Sequence, residues 1–259
     1  MGSAKAMSDI FIVTGGTRGI GRSIVERLAA QSKKVFCIGR DETLGLDLER
    51  SSPNILFQKA DVRDPAQCAA AVRRALDLGN GRIGGLVNNA GMSMRQPFAQ
   101  IDVEAWDEIF ATNTRSAFLF TRYALDSLIT ANGAVVTVSS IAGMVGAEGM
   151  AAYCASKAAL IGLMQALALE CGQYVRFNTV CPGQINTRMM KSTVENPAML
   201  SALTCTIPAA RIAEPEEVAD VVCWLLSGAS SFVNGAVFPI DGGQTAGVRA
   251  LNTESQAPH

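Results

Sequence analysis

The chain contains one histidine, His259, at its last position, where chains are expected to fray. With no imidazole in the folded part, Ser-His-Asp triads, HExxH zinc sites and histidine general bases are excluded, and no metal site is expected. Charge is also sparse: 17% of residues are charged, they sum to −1, and the pI is near 5.9. A nucleic-acid binder would show a basic excess, and no like-charge run suggests a tail. The seven cysteines (Cys37, Cys68, Cys154, Cys171, Cys181, Cys205 and Cys223) include no CxxC pair. Odd in number and widely spaced, they read as reduced thiols of a cytoplasmic protein, each a small buried apolar residue.

Membrane and export signals are missing too. No cationic segment leads into an apolar run at the start. Met1–Ala6 before a second Met reads as a cloning remnant, so residues 1–7 are set aside, residues 8–248 are read as one domain and residues 249–259 as a tail. The uncharged stretch Ser127–Ala147 is long enough to span a bilayer. Its Ser, Thr, Asn and Gly content, with a β-branched centre, reads instead as a buried strand and a loop, and no membrane contact is expected.

What is present is a 49% hydrophobic chain of 259 residues, long enough to bury a core without disulfide or metal staples. Short apolar strands are predicted at 10–13, 35–38, 55–59, 83–87, 134–138, 175–180 and 236–240. Helices are predicted over about 19–31, 65–78, 103–130 (with a break in the middle), 153–171 and 214–226. Continuous apolar strands alternating with helices specify an α/β fold, a Rossmann-type, doubly wound parallel sheet of about seven strands with helices on both faces. Ligands then bind at the carboxyl ends of the strands, and most of the unusual residues lie there.

Two segments stand out. Ala158–Leu169 has Gln165 as its only polar side chain; a helix apolar all round is buried all round, which implies a second layer, most simply another subunit in a homodimer or homotetramer. Residues 186–207 follow a strand end and hold Met189, Met190 and Met199, which suit either an adaptable lid over a substrate or ordinary core filling.

The first strand runs into Thr14-Gly15-Gly16-Thr17-Arg18-Gly19-Ile20-Gly21 and a helix. Glycines there bring backbone N–H groups and the positive end of the helix close to a phosphate, although the spacing is GxxxGxG rather than GxGxxG. With Asn88-Asn89-Ala90-Gly91, Asn113, Ser140, Tyr153-x-x-x-Lys157 and Pro182-Gly183 in the same order, the chain resembles the short-chain dehydrogenase/reductase family along residues 9–245.

Tyr153 and Lys157 lie one helical turn apart on one face. A phenol near pKa ~10 is a poor proton donor at neutral pH, and an adjacent ammonium is expected to lower that value. The resemblance implies that Tyr153 passes the proton, Ser140 holds the substrate oxygen, Lys157 grips the nicotinamide ribose, and Asn113 supports a water relay. It also implies cofactor contacts from Gly15, Thr17, Arg18, Gly19, Ile20 and Gly21, from Asp61 and Val62 beside adenine, and from Asn89, Ala90 and Gly91. Pro182, Gly183, Ile185 and Thr187 complete the set toward the carboxamide.

Cofactor choice rests on the second strand's end. An acid there would accept hydrogen bonds from a ribose 2′-hydroxyl and favour NAD(H), but the position is Gly39, followed by Arg40, with Arg18 in the glycine loop. Two guanidiniums suit a 2′-phosphate, so NADP(H) is expected; Asp41 would favour NAD(H) if the turn brought it to the ribose. The expected substrate wall, with Ser93, Met94, Gln184, Met189 and Met190, is apolar and suits a ketone or secondary alcohol with a hydrophobic or cyclic body. Glu148 either selects a hydroxylated or cationic substrate or is a solvated loop carboxylate. The alternatives are a 3-oxoacyl-thioester reductase docking a carrier on Arg95, Arg115, Arg122 and Arg188, an NAD-dependent alcohol or diol dehydrogenase, and a non-catalytic cofactor-binding protein, which the intact Ser140, Tyr153 and Lys157 argue against.

Overall fold

The strands are β1 (Ile10–Thr14), β2 (Lys34–Gly39), β3 (Ile55–Lys59), β4 (Ile83–Asn88), β5 (Ala134–Val138), β6 (Arg176–Pro182) and β7 (Val237–Ile240). All pair in parallel, in the order β3-β2-β1-β4-β5-β6-β7. This computed structural model describes residues 9–248; the remnant and tail expected at 1–7 and 249–259, and His259, lie outside the described residues.

Alternation along β1 divides the core in two. Phe11 and Val13 face a cluster with Ile24, Val25, Leu28, Leu48 and Val222, whereas Ile10 and Ile12 face one with Val72, Leu86, Phe120, Leu128 and Phe177. The first face is covered by α1 (Gly19–Ala30), α2 (Glu42–Ser51) and α9 (Pro215–Leu226). The second is covered by α3 (Pro65–Leu78), α5 (Ser116–Ala131) and α6 (Ala151–Cys171). The winding reverses between β1 and β4, which opens a crevice at their carboxyl ends.

Helix α2 is absent from the sequence reading. Asp41 caps it by accepting from the Leu44 amide at 3.1 Å, but Gly45 and Leu48 are its only buried residues, too thin an apolar stripe to reveal it. The break expected within 103–130 is instead a change of pitch. α4 (Val103–Phe110) passes through a π-helical turn at Ala111–Arg115 into α5, and such turns concentrate at functional sites.

Helix α6 differs from expectation. Within one chain it is not buried on every side: Ala158, Gly162, Gln165 and Ala166 are exposed and Leu169 is 91% exposed. It is the one helix among the described residues long and apolar enough to cross a membrane, yet it packs against β6 and holds the buried Lys157. The stretch 127–147 is the end of α5, β5 and a short 3-10 turn, as its composition implied. Residues 188–204 form a 3-10 turn and the short helices α7 (Lys191–Val194) and α8 (Pro197–Thr204), none with a fully buried residue.

Candidate active site

The glycine loop is shaped by close backbone approach. A Cβ on Gly15, whose φ is +65°, would sit 2.8 Å from Ala90 Cα, and one on Gly21 would sit 2.3 Å from the Gly15 carbonyl oxygen. Asn89 Nδ2 donates to the carbonyls of Thr14 and Gly15, both at 3.0 Å, and Thr14 Oγ1 accepts from the amides of Asn89 and Ala90. Asn88 turns inward to Thr121 and Thr137. The loop and the Asn-Asn-Ala-Gly turn are thus one unit across the crevice, with the N-terminus of α1 aimed along it, a cradle that fits a dinucleotide pyrophosphate. Thr187 closes the far side: a Cβ on Gly19 would meet its methyl at 3.2 Å. Ile20 packs under the loop against the core, and Ile185 is buried and bridges to Ala213. Pro182 ends β6, and Gly183 abuts Asp241. Val62 is buried beneath the adenine side, while the Asp61 carboxylate is held by the Arg63 guanidinium, which keeps it below the usual carboxylate range.

At the end of β2, Gly39 is packed against Thr17, whose methyl would lie 2.7 Å from a Cβ there. Arg40 is exposed. Arg18 forms an ion pair with Asp41, so the residue that caps α2 also orients one of the two cations.

Ser140, Tyr153 and Lys157 lie near one another at the carboxyl end of β5. Ser140, just past the end of β5, accepts from the Ala142 amide at 3.1 Å, and its hydroxyl is close enough to the Tyr153 phenol to draw the phenol's pKa down. Lys157 is buried, its Nζ donating to the Val138 carbonyl at 2.9 Å and lying 5.8 Å from the Tyr153 ring centroid. A Cβ on Gly91 would come within 3.3 Å of that Nζ, so the lysine lies beside the cofactor turn.

The electrostatics depart from expectation. Burial pushes the Tyr153 phenol above its ordinary value, with the nearby Ser140 hydroxyl working against this, and burial pulls Lys157 down to about 8. Desolvation is the largest influence on both groups, and the Lys157 ammonium is directed at the Val138 carbonyl.

Asn113, in the π turn, is committed to scaffolding. Its Oδ1 accepts from the Met92 amide at 2.8 Å, and its Nδ2 donates to the Met92 carbonyl and Ser156 Oγ, each at 3.0 Å. Ser156 in turn donates to the Tyr153 carbonyl, and Ser139 to the Lys157 carbonyl, both at 2.8 Å. Sequence reasoning missed both serines; the available signal was a polar residue three positions after Tyr153 in an otherwise apolar helix, and a second serine ending β5.

On the substrate side, Ser93 is exposed, Met94 and Met190 are half-buried, and Met189 is 62% exposed. The Glu148 side chain is exposed, which agrees with the solvated reading. Gln184 reaches toward Gln244, beside a cavity of about 90 Å³ that Ile207, Arg211 and Asp241 also line. No cluster of three or more potential metal ligands occurs among the described residues.

A parallel seven-stranded sheet thus carries serine, tyrosine and lysine gathered beside a glycine cradle. A family model described as enoyl-(acyl carrier protein) reductase matches residues 15–245. The chain is 34% identical to 2-(S)-hydroxypropyl-CoM dehydrogenase 3 of Xanthobacter autotrophicus, over 94% of this chain and 99% of that one. It is 36% identical to cyclopentanol dehydrogenase of a Comamonas species, over 92% and 97%. The ligand-free structure of Thermoplasma acidophilum aldohexose dehydrogenase superposes with a TM-score of 0.88 at 28% identity, covering 98% of this chain and 100% of that one. The chain belongs to the short-chain dehydrogenase/reductase family, whose members use a nicotinamide cofactor.

Proposed function

We propose that the protein is an NADP(H)-dependent oxidoreductase that reversibly converts a ketone to a secondary alcohol, with Tyr153 as general acid and base. The observation that carries the reading is the buried Lys157, with its Nζ 5.8 Å from the Tyr153 ring centroid and beside the Gly91 turn, and with Ser140 near the phenol. A nicotinamide bound in the glycine cradle supplies or accepts the hydride. In reduction, Tyr153 Oη gives its proton to the carbonyl oxygen while the Ser140 hydroxyl donates a hydrogen bond to the same oxygen; in oxidation Oη takes the proton back. Burial keeps the phenol protonated, which serves reduction. Asn113 and Ser156 brace the helix turn that carries Tyr153. Tyr153→Phe is expected to lower kcat by about 10²–10⁴-fold; full turnover would remove Tyr153 from this role.

The NADP(H) preference is supported by Gly39, which offers no carboxylate at the end of β2 and lies close against the Thr17 side chain, and by Arg18 and Arg40. An NAD-dependent reading is favoured by one observation, the Asp41 carboxylate on Arg18. Assaying ketones, acyl thioesters and alcohols with both cofactors decides between them. Equal efficiency with NADH and NADPH would overturn the preference, and turnover of thioesters alone would establish carrier-bound chains. Against the latter, Arg95 and Arg115 already bind the carbonyls of Glu148 and Arg63. A hydrophobic or cyclic ketone is supported by the exposed apolar side chains of Met144, Val145, Met189 and Met199 and by the cyclopentanol dehydrogenase among the relatives.

Assembly into a homodimer or homotetramer is supported by Val103, Trp106, Phe118, Tyr123 and Leu169, large apolar residues left exposed on α4, α5 and α6. Sedimentation showing only monomer at micromolar concentration would overturn it. A cytoplasmic location, supported by an odd number of widely spaced cysteines, is tested by cell fractionation.

A further inference from the structure

Residues 92–96 run as a strap across the substrate side of the crevice, and both of its ends are tied to the catalytic helix. At one end Met92 is held by Asn113, which also holds Ser156 of α6. At the other, Arg95 and Gln96 grip the three residues that precede α6. Arg95 Nη1 donates to the Glu148 carbonyl at 2.9 Å, its Nη2 to the Met150 sulfur at 3.5 Å, and the Gln96 amide donates to the Gly149 carbonyl at 2.7 Å. The turn suits this grip: Gly149 has φ +72°, and the Arg95 stem lies across it, with Cγ 3.6 Å from where a Cβ would stand. Met150 then accepts from the Cys154 amide at 2.8 Å, in the first turn of the helix that bears Tyr153.

We propose that Arg95 is a positioning residue. Its planar fork spans two acceptors on successive bends of the turn, which a point charge cannot do. It thereby sets the distance between the Ser93–Met94 wall and the start of the Tyr153 helix. The inference rests on the reading that a ketone occupies this crevice, and it explains how an exposed loop can offer a defined wall. No bond of the clamp reaches the glycine cradle, so substrate fit depends on Arg95 and cofactor binding does not.

The test compares Arg95→Ala and Arg95→Lys with Arg73→Ala, an exposed arginine on α3. Arg95→Ala is expected to raise KM for a bulky ketone about tenfold with a smaller fall in kcat, to leave NADPH affinity unchanged, and to speed hydrogen exchange at the Gln96 and Cys154 amides. Arg95→Lys is expected to behave like Arg95→Ala, and Arg73→Ala like the unmutated protein. Unchanged KM and exchange in Arg95→Ala would overturn the proposal, as would a loss of NADPH affinity in step with KM. Should Arg95→Ala fail to fold, Arg95→Lys carries the same comparison. If the unmutated enzyme reduces no ketone, the proposed function falls and the exchange rates alone decide the clamp.

Discussion

The two sides of the crevice are built differently. On the cofactor side, backbone meets backbone: Gly15 against Ala90, Gly21 against the Gly15 carbonyl, Asn89 stitched to both Thr14 and Gly15. On the substrate side, side chains stand on exposed loops, with Ser93, Glu148, Met189 and Met199 all exposed. The first is a rigid seat with little room for substitution. The second is a wall whose composition can change without disturbing the fold.

The sharpest way to break this contrast is to place a methyl on each side. Gly21→Ala drives a Cβ to 2.3 Å from the Gly15 carbonyl oxygen, and cofactor affinity is expected to fall on the order of 100-fold, a displacement effect readable by titration of cofactor fluorescence. If affinity survives, the seat is softer than its packing implies. Next in size, Arg40→Ala is expected to weaken NADPH about tenfold by losing a charge-assisted contact while leaving NADH within about twofold, read from the two dissociation constants.

A third test concerns the lysine between the two sides. Burial pulls Lys157 from a lysine's ordinary 10.5 down to about 8, so the folded state holds that proton less tightly than the unfolded one. This favours the fold fully above pH ~10.5, and the benefit is lost as pH falls through about 8. Lys157→Met is therefore expected to raise Tm by a few degrees at pH 7, to show no such gain near pH 10.5, and to lose activity. A gain independent of pH would mean the lysine is not desolvated. The smallest effect belongs to the wall: Met189→Ala is expected to change KM only about twofold and stability by less than about 0.5 kcal/mol, measured by steady-state kinetics and denaturant melts.

The same contrast explains what could be read from residues alone. The parallel sheet and the glycine loop were legible because buried strands and close-packed glycines restrict residue type: β3, α3 and β5 begin and end where they were expected. Tyr153, Lys157 and Ser140 were legible because spacing on a helix and position at a strand end fix where side chains meet. The direction of the phenol's pKa shift was not, since it depends on how deeply the folded chain buries the ring. Helix α2 escaped because two buried residues carry it. Ser156 escaped because a serine inside a helix is ordinary until Asn113 is seen beside it.

The fit at Gly39 bears on any redesign of coenzyme choice. Installing an aspartate there sets its first carbon 2.7 Å from the Thr17 methyl, so the threonine side chain has to turn aside to admit it. Pairing the new acid with a smaller residue at position 17 removes the need for that adjustment.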